Sequence, residues 1–127
     1  VGNKIAASIF AEESKSELDH SDILQKFLVD WNVIVDLPAI PKPQTDFAGL
    51  VEGIEASYNL ELDLYNKYEK NSKDIFEMGD ICAFDLLQPL RKIQNDSVAE
   101  YSDMLNMLEG AKTDKTSLLL LENKIFG

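Results

Sequence analysis

The stretch ELDHSDILQKFLVDW, residues 17–31, decides how the chain is read. Leu24, Phe27 and Trp31 step at helical spacing, and the same rhythm carried backward places His20 and then Glu17 on that face. A buried face that carries a carboxylate and the chain's single histidine needs a reason. Burying a lone carboxylate is costly unless it is paired, protonated or bound to a metal.

Working outward, Ile5 and Ile9 extend the same helical spacing toward the N-terminus, so a first helix is expected over about 3–31. In DFAGLVEGIEASYNLELDLYNKYEK, residues 46–70, the positions Phe47, Val51, Ile54, Tyr58, Glu61, Tyr65 and Tyr68 step alternately by four and three. This predicts a second helix with a single charge, Glu61, in its stripe. A third helix is expected over 80–109, with Asp80 as N-cap, a stripe running through Phe84, Leu87, Leu90, Arg91, Gln94, Val98, Tyr101, Leu105 and Leu108, and Gly110 at its end. Pro89 inside it predicts a local kink rather than a stop. After the polar linker AKTDKT, 111–116, a short terminal helix is expected over 117–126.

The connections suggest a topology. Residues 32–46 contain Pro38, Pro41 and Pro43, which favour extended backbone. At about 3.3 Å per residue this segment reaches roughly 50 Å, against roughly 40 Å for a helix of the first helix's length. It is long enough to run the length of a bundle and start the second helix parallel to the first. The segment NSKDIFEMG, 71–79, reads as a short connection that makes the second and third helices antiparallel neighbours.

Composition narrows the function classes. The 127 residues carry 12 basic and 23 acidic side chains, a net charge of −11. Nucleic-acid backbones and anionic membranes are repelled and cations attracted. The 45% hydrophobic content suits one globular domain. A lone cysteine, Cys82, excludes an internal disulfide and a Cys-based zinc site; it reads as a buried thiol in a reducing, cytoplasmic compartment. No apolar run approaches membrane-spanning length, no secretory leader is visible, and a soluble protein is expected. The chain opens VGNKIAAS, without methionine and already on a helical pattern, so an upstream segment is expected. No phosphate-binding glycine loop or nucleophile elbow is present.

Glu17, Glu61 and Gln94 fall near the middle of their helices, with His20 one turn from Glu17, so bundled helices would bring them to one level. Two carboxylates and an imidazole form a ligand set suited to iron or manganese. Plainer readings stand beside this one. An E-x-x-H pair recurs by chance on solvated helices; Glu61 on a rotated helix would face water, though it would take Tyr58 and Tyr65 outward with it. Gln94 is expected as an outer partner of a ligand or of bound water. Glu13 is a secondary metal contact or a solvated residue.

These residues together resemble the ferritin family. The segment E-L-D-H-S-D-I-L-Q-K-F-L is similar to that family's E-x-x-H-A-x-x-L helix. The likeness continues through L-P-A-I-P-K-P, S-Y-N-L-E with Glu61, Gln94, and the closing L-L-L-L-E-N-K-I-F-G. The resemblance implies an all-α, ferritin-like four-helix bundle with a long crossover and a short fifth helix, assembled as 24 subunits into a hollow iron-storing shell. It implies that Glu17 bridges two irons, His20 binds one, Glu61 binds the other, and Gln94 hydrogen-bonds beside them. The family's first helix, which adds another glutamate, has no counterpart in these residues. Ser97 stands where many bacterial members have a glutamate, so the resemblance implies a two-iron centre that tolerates a small residue there and speaks against a third iron position. Asp74, Glu77, Asp80 and Asp85 are candidates for an acidic entry.

The function expected on that resemblance is storage of iron with oxidation of Fe(II) by dioxygen at a di-iron centre of Glu17, His20, Glu61 and Gln94. A non-catalytic shell or iron-nucleating subunit is one alternative. A helical module docking a partner's helix is the other.

Overall fold

The computed structural model describes residues 4–110 and 115–126, the side chains of Ile5, Lys115, Leu118, Glu122, Ile125 and Phe126 excepted. Every regular element among them is a helix: α1 (Lys4–Asp30), α2 (Leu50–Met78), α3 (Ile81–Glu109) and α4 (Lys115–Phe126). The chain forms two compact units, one of Val1–Asp46 with Glu122–Gly127, the other of Phe47–Leu121. Asn3 and linker residues 111–114 lie outside the described residues; Lys115 and Thr116, read as linker, belong to α4.

In the first unit, α1 ends in a double backbone clasp. Asn32 takes a left-handed φ of 56°, its N–H donates to the Val29 carbonyl at 2.9 Å, and the Val33 N–H donates to the Leu28 carbonyl at 2.9 Å. This satisfies carbonyls that the helix end would otherwise leave bare, and asparagine is among the few side chains that tolerate the conformation. Trp31, expected on the buried stripe, instead lies just past the helix end and is 60% exposed, touching Phe27 at a ring separation of 6.0 Å. From Val33 to Phe47 the backbone is irregular, as its prolines require.

The second unit is built on an antiparallel hairpin of α2 and α3, joined by only Gly79 and Asp80. Gly79 adopts φ 79°, and its N–H donates to the Ile75 and Phe76 carbonyls. The Asp80 N–H donates to the Ile75 carbonyl at 3.3 Å, and Asp80 Oδ1 accepts the Ala83 N–H at 3.0 Å. One residue therefore closes α2 and the next opens α3.

Residues 71–78 are helical, not the connection expected. Their Ile75, Phe76 and Met78 continue the helix, Lys70 and Asp74 pair one turn apart at 3.5 Å, and Phe76 packs on Phe84. The start of α2 moves the other way, from Asp46 to Leu50. Gly49 takes the N-cap position and the Glu52 carboxylate reaches back to the Ala48 N–H. Phe47 consequently falls outside the helix and is 45% exposed. The helix α3 runs unbroken through Pro89.

Candidate metal centre

Each half of the expected centre can be described within its own unit. On α1, Glu17 and His20 stand one turn apart, and His20 Nδ1 lies 3.3 Å from Glu17 Oε2. The histidine side chain is 19% exposed and the glutamate 44%. They occupy the half-buried stripe with Leu24 and Phe27, while Glu13, one turn earlier, is solvated. The sequence spacing therefore produces a contact between these two side chains rather than two independent surface groups.

On the hairpin, Gln94 is 3% exposed, and its Nε2 donates both to the Glu61 carbonyl at 2.9 Å and to the Glu61 carboxylate. A buried amide on α3 thus holds the backbone and the side chain of one residue on α2. Glu61 remains half-buried, in line with Ile54, Tyr58 and Tyr65. The contact joins residues thirty-three apart in sequence because the hairpin folds the middles of its helices against each other.

Two turns along α2 lies a network that the periodicity did not separate from packing. Arg91 Nη1 donates to Glu69 Oε1 at 2.5 Å, and Arg91 Nε donates to Gln88 Oε1 at 3.1 Å. The Arg91 guanidinium, with the Tyr65 hydroxyl donating alongside, holds the Glu69 carboxyl below its ordinary value. The same Glu69 carboxylate, followed by burial, raises the Tyr65 phenol above its ordinary value. The signal available in sequence was positional: Glu69 and Arg91 sit about equally far from Gly79–Asp80, as Phe76 and Phe84 do.

Other expectations change. Asp80 uses a carboxylate oxygen as the α3 cap, and Asp74 pairs with Lys70, so two of the four entry acids have local work. Cys82, expected to be buried, is exposed. It lies in the first turn of α3, where the adjacent Ala83 is the residue turned inward. Among the described residues no three or more His, Cys, Asp or Glu side chains gather closely enough to hold one ion, and no helix is long and apolar enough to cross a membrane.

Solved structures similar to this chain include an open-pore ferritin from the hyperthermophilic archaeon Archaeoglobus fulgidus, with TM-score 0.80 and 21% identity over 87% of this chain and 68% of that one. A humanized archaeal ferritin matches at TM-score 0.80 and 21% identity, covering 87% and 67%. An engineered closed form of the Archaeoglobus fulgidus protein matches at TM-score 0.79 and 20% identity, covering 87% and 68%. At such identities the likeness establishes the fold. No curated protein matches. A family model described as the ferritin-like domain matches residues 4–111, the whole of α1 through α3 and the segments between them, and the chain therefore belongs to the ferritin-like family.

Proposed function

We propose that this chain is a subunit of a hollow, multi-subunit iron store, and that it oxidises Fe(II), its substrate, between its helices. The observation that carries the chemistry is the Glu17–His20 contact. Two donor atoms each about 2.1 Å from one cation, at roughly a right angle, lie about 3 Å apart. The 3.3 Å between Nδ1 and Oε2 suits such a pair, so a ferrous ion can replace the hydrogen bond without moving either side chain far. Glu61 supplies a second carboxylate, and Gln94, by gripping it, fixes its rotamer before iron arrives.

In this reading Glu17, His20 and Glu61 supply ligands to a pair of ferrous ions. Each ion gives up one electron, and dioxygen takes both. The carboxylates favour the ferric product through their charge, and the net charge of −11 raises the local concentration of Fe(II). A 24-subunit shell is part of the same proposal.

The test is the initial rate of Fe(II) oxidation under air. His20→Ala and Glu61→Ala should each slow it at least about tenfold, the effect of losing a ligand. Unchanged rates in both variants remove the catalytic assignment. A second reading, a shell or nucleating subunit without oxidase activity, is favoured by the exposure of the Glu17 side chain, 44%. It predicts shells whose wild-type oxidation rate equals that of Fe(II) in buffer.

A further inference from the structure

The α2–α3 hairpin has an open groove of about 300 Å³ on the turn side of Gln94, walled by Ser72 and Phe76 from α2 and by Phe84 and Gln88 from α3. That volume lies at the lower end of the range for small-molecule sites. The Phe76 and Phe84 rings meet at 5.2 Å and 56°, giving the groove an aromatic end. Glu69, Arg91 and Lys73 line the remainder.

The hydrogen-bonding inventory of this groove is unbalanced. Ser72 is 5% exposed, and its Oγ is buried without a partner, a rare and costly condition for a hydroxyl. Gln88 has both ends of its amide engaged, Nε2 with the Phe84 carbonyl at 3.0 Å and Oε1 with Arg91. Glu69 is matched by Arg91 and Tyr65. Arg91 has five N–H groups, of which these contacts use two. The groove therefore offers the remaining Arg91 N–H groups and, once its buried side chain rotates outward, the unpartnered Ser72 hydroxyl; the one unmatched charge among its lining residues is the Lys73 ammonium. In a chain of net charge −11 this is a local reversal of sign.

We propose that the groove binds a small monocarboxylate with a short apolar body. The carboxylate accepts from Ser72 and Arg91 and neutralises Lys73, while the apolar body lies against Phe76 and Phe84. Charge selects the anion, and the aromatic end excludes strongly hydrated inorganic anions. The proposal needs no iron and stands apart from the metal reading.

Phenylacetate and its neutral isostere phenylacetamide are the probes, titrated into the full-length protein and followed by ligand-observed NMR. Phenylacetate should bind saturably, with Kd on the order of 1 mM. Phenylacetamide should bind at least about fivefold more weakly, as should phenylacetate to Lys73→Gln, which alters only an exposed side chain. Ser72→Ala should weaken phenylacetate about threefold or more. No saturable binding up to about 20 mM, well beyond that Kd, overturns the proposal and means the face is closed by protein or is merely open surface. Equal affinity for the two probes, or wild-type affinity in both variants, overturns it as well.

Discussion

Gln94 holds Glu61 in two places, and this makes it the most informative single residue of the hairpin. Gln94→Leu keeps the size and removes the amide that donates to both the Glu61 carbonyl and its carboxylate. The expected loss is about 1–2 kcal/mol in urea unfolding, because two hydrogen bonds from a buried amide go with the substitution, one of them to a carboxylate. A loss under about 0.5 kcal/mol would show that water replaces the amide freely. Glu69 and Tyr65 give a pH signature. The Glu69 carboxyl is depressed in the folded chain, so its contribution is present above about pH 4.5, the ordinary carboxyl value, and disappears as pH falls through the folded value. The Tyr65 phenol is raised, so its contribution is complete below about pH 10 and disappears as pH rises through the higher folded value. Glu69→Gln should flatten both ends of the stability profile between pH 3 and 11, and unchanged slopes would exclude the network. At this scale the sequence was readable where a polar residue broke an apolar stripe, as Glu17, His20, Glu61 and Gln94 do. Ser72 was not readable, because its meaning comes from the facing helix, and the Glu69–Arg91 pair was readable only by its distance from a turn that the sequence reading misplaced.

The hairpin is decided by its two-residue turn, and glycine substitutions separate conformation from packing there. A Cβ at Gly79 would meet nothing within 4 Å, so its cost is purely that of the left-handed φ of 79°. Gly79→Ala should destabilise by about 1 kcal/mol. Gly53, inside α2, is equally free of neighbours but has helical backbone. Gly53→Ala should stabilise by about 0.5–1 kcal/mol, since alanine loses less freedom on entering a helix. The two thermal shifts should therefore have opposite signs; the same sign in both would mean that backbone conformation does not govern them. Helix identity was legible from the period of the apolar positions, and Asp80 as cap from its place before the stripe. The end of α2 was misplaced because Asn71, Ser72 and Lys73 look like loop residues. Ile75 and Phe76 keep them helical, and the helix runs on until Gly79 can reverse the backbone.

For the whole molecule, the proposed assembly has to reconcile long-range repulsion with exposed apolar surface. In the segment after α1, Trp31, Leu37, Ile40 and Ile34 are 60%, 69%, 89% and 93% exposed. Single exposed apolar side chains need no explanation, but these four together with Val33, 48% exposed, make five within ten residues, the kind of surface that chains cover by association. Pro38, Pro41 and Pro43 restrict the backbone of this segment, which lowers the conformational cost of docking it. The charge was legible from composition, whereas the exposure of this segment was not, because proline-rich apolar stretches read equally as buried crossover or exposed strap. The net charge of −11 opposes contact between copies, and salt decides how far that opposition reaches: about 30 Å at 0.01 M and about 8 Å at 0.15 M. Sedimentation at about 0.15 M salt should therefore show assemblies many times the 14.3 kDa chain, weakening toward 0.01 M as screening is lost. Ile34→Asp combined with Ile40→Asp should shift the wild-type distribution toward small species while the helical circular dichroism signal is retained, because both positions are exposed within the chain. A wild-type chain that sediments as a monomer at about 0.15 M, where repulsion is confined to less than a helix diameter, has no adhesive surface to assemble with, and the proposed shell falls with it.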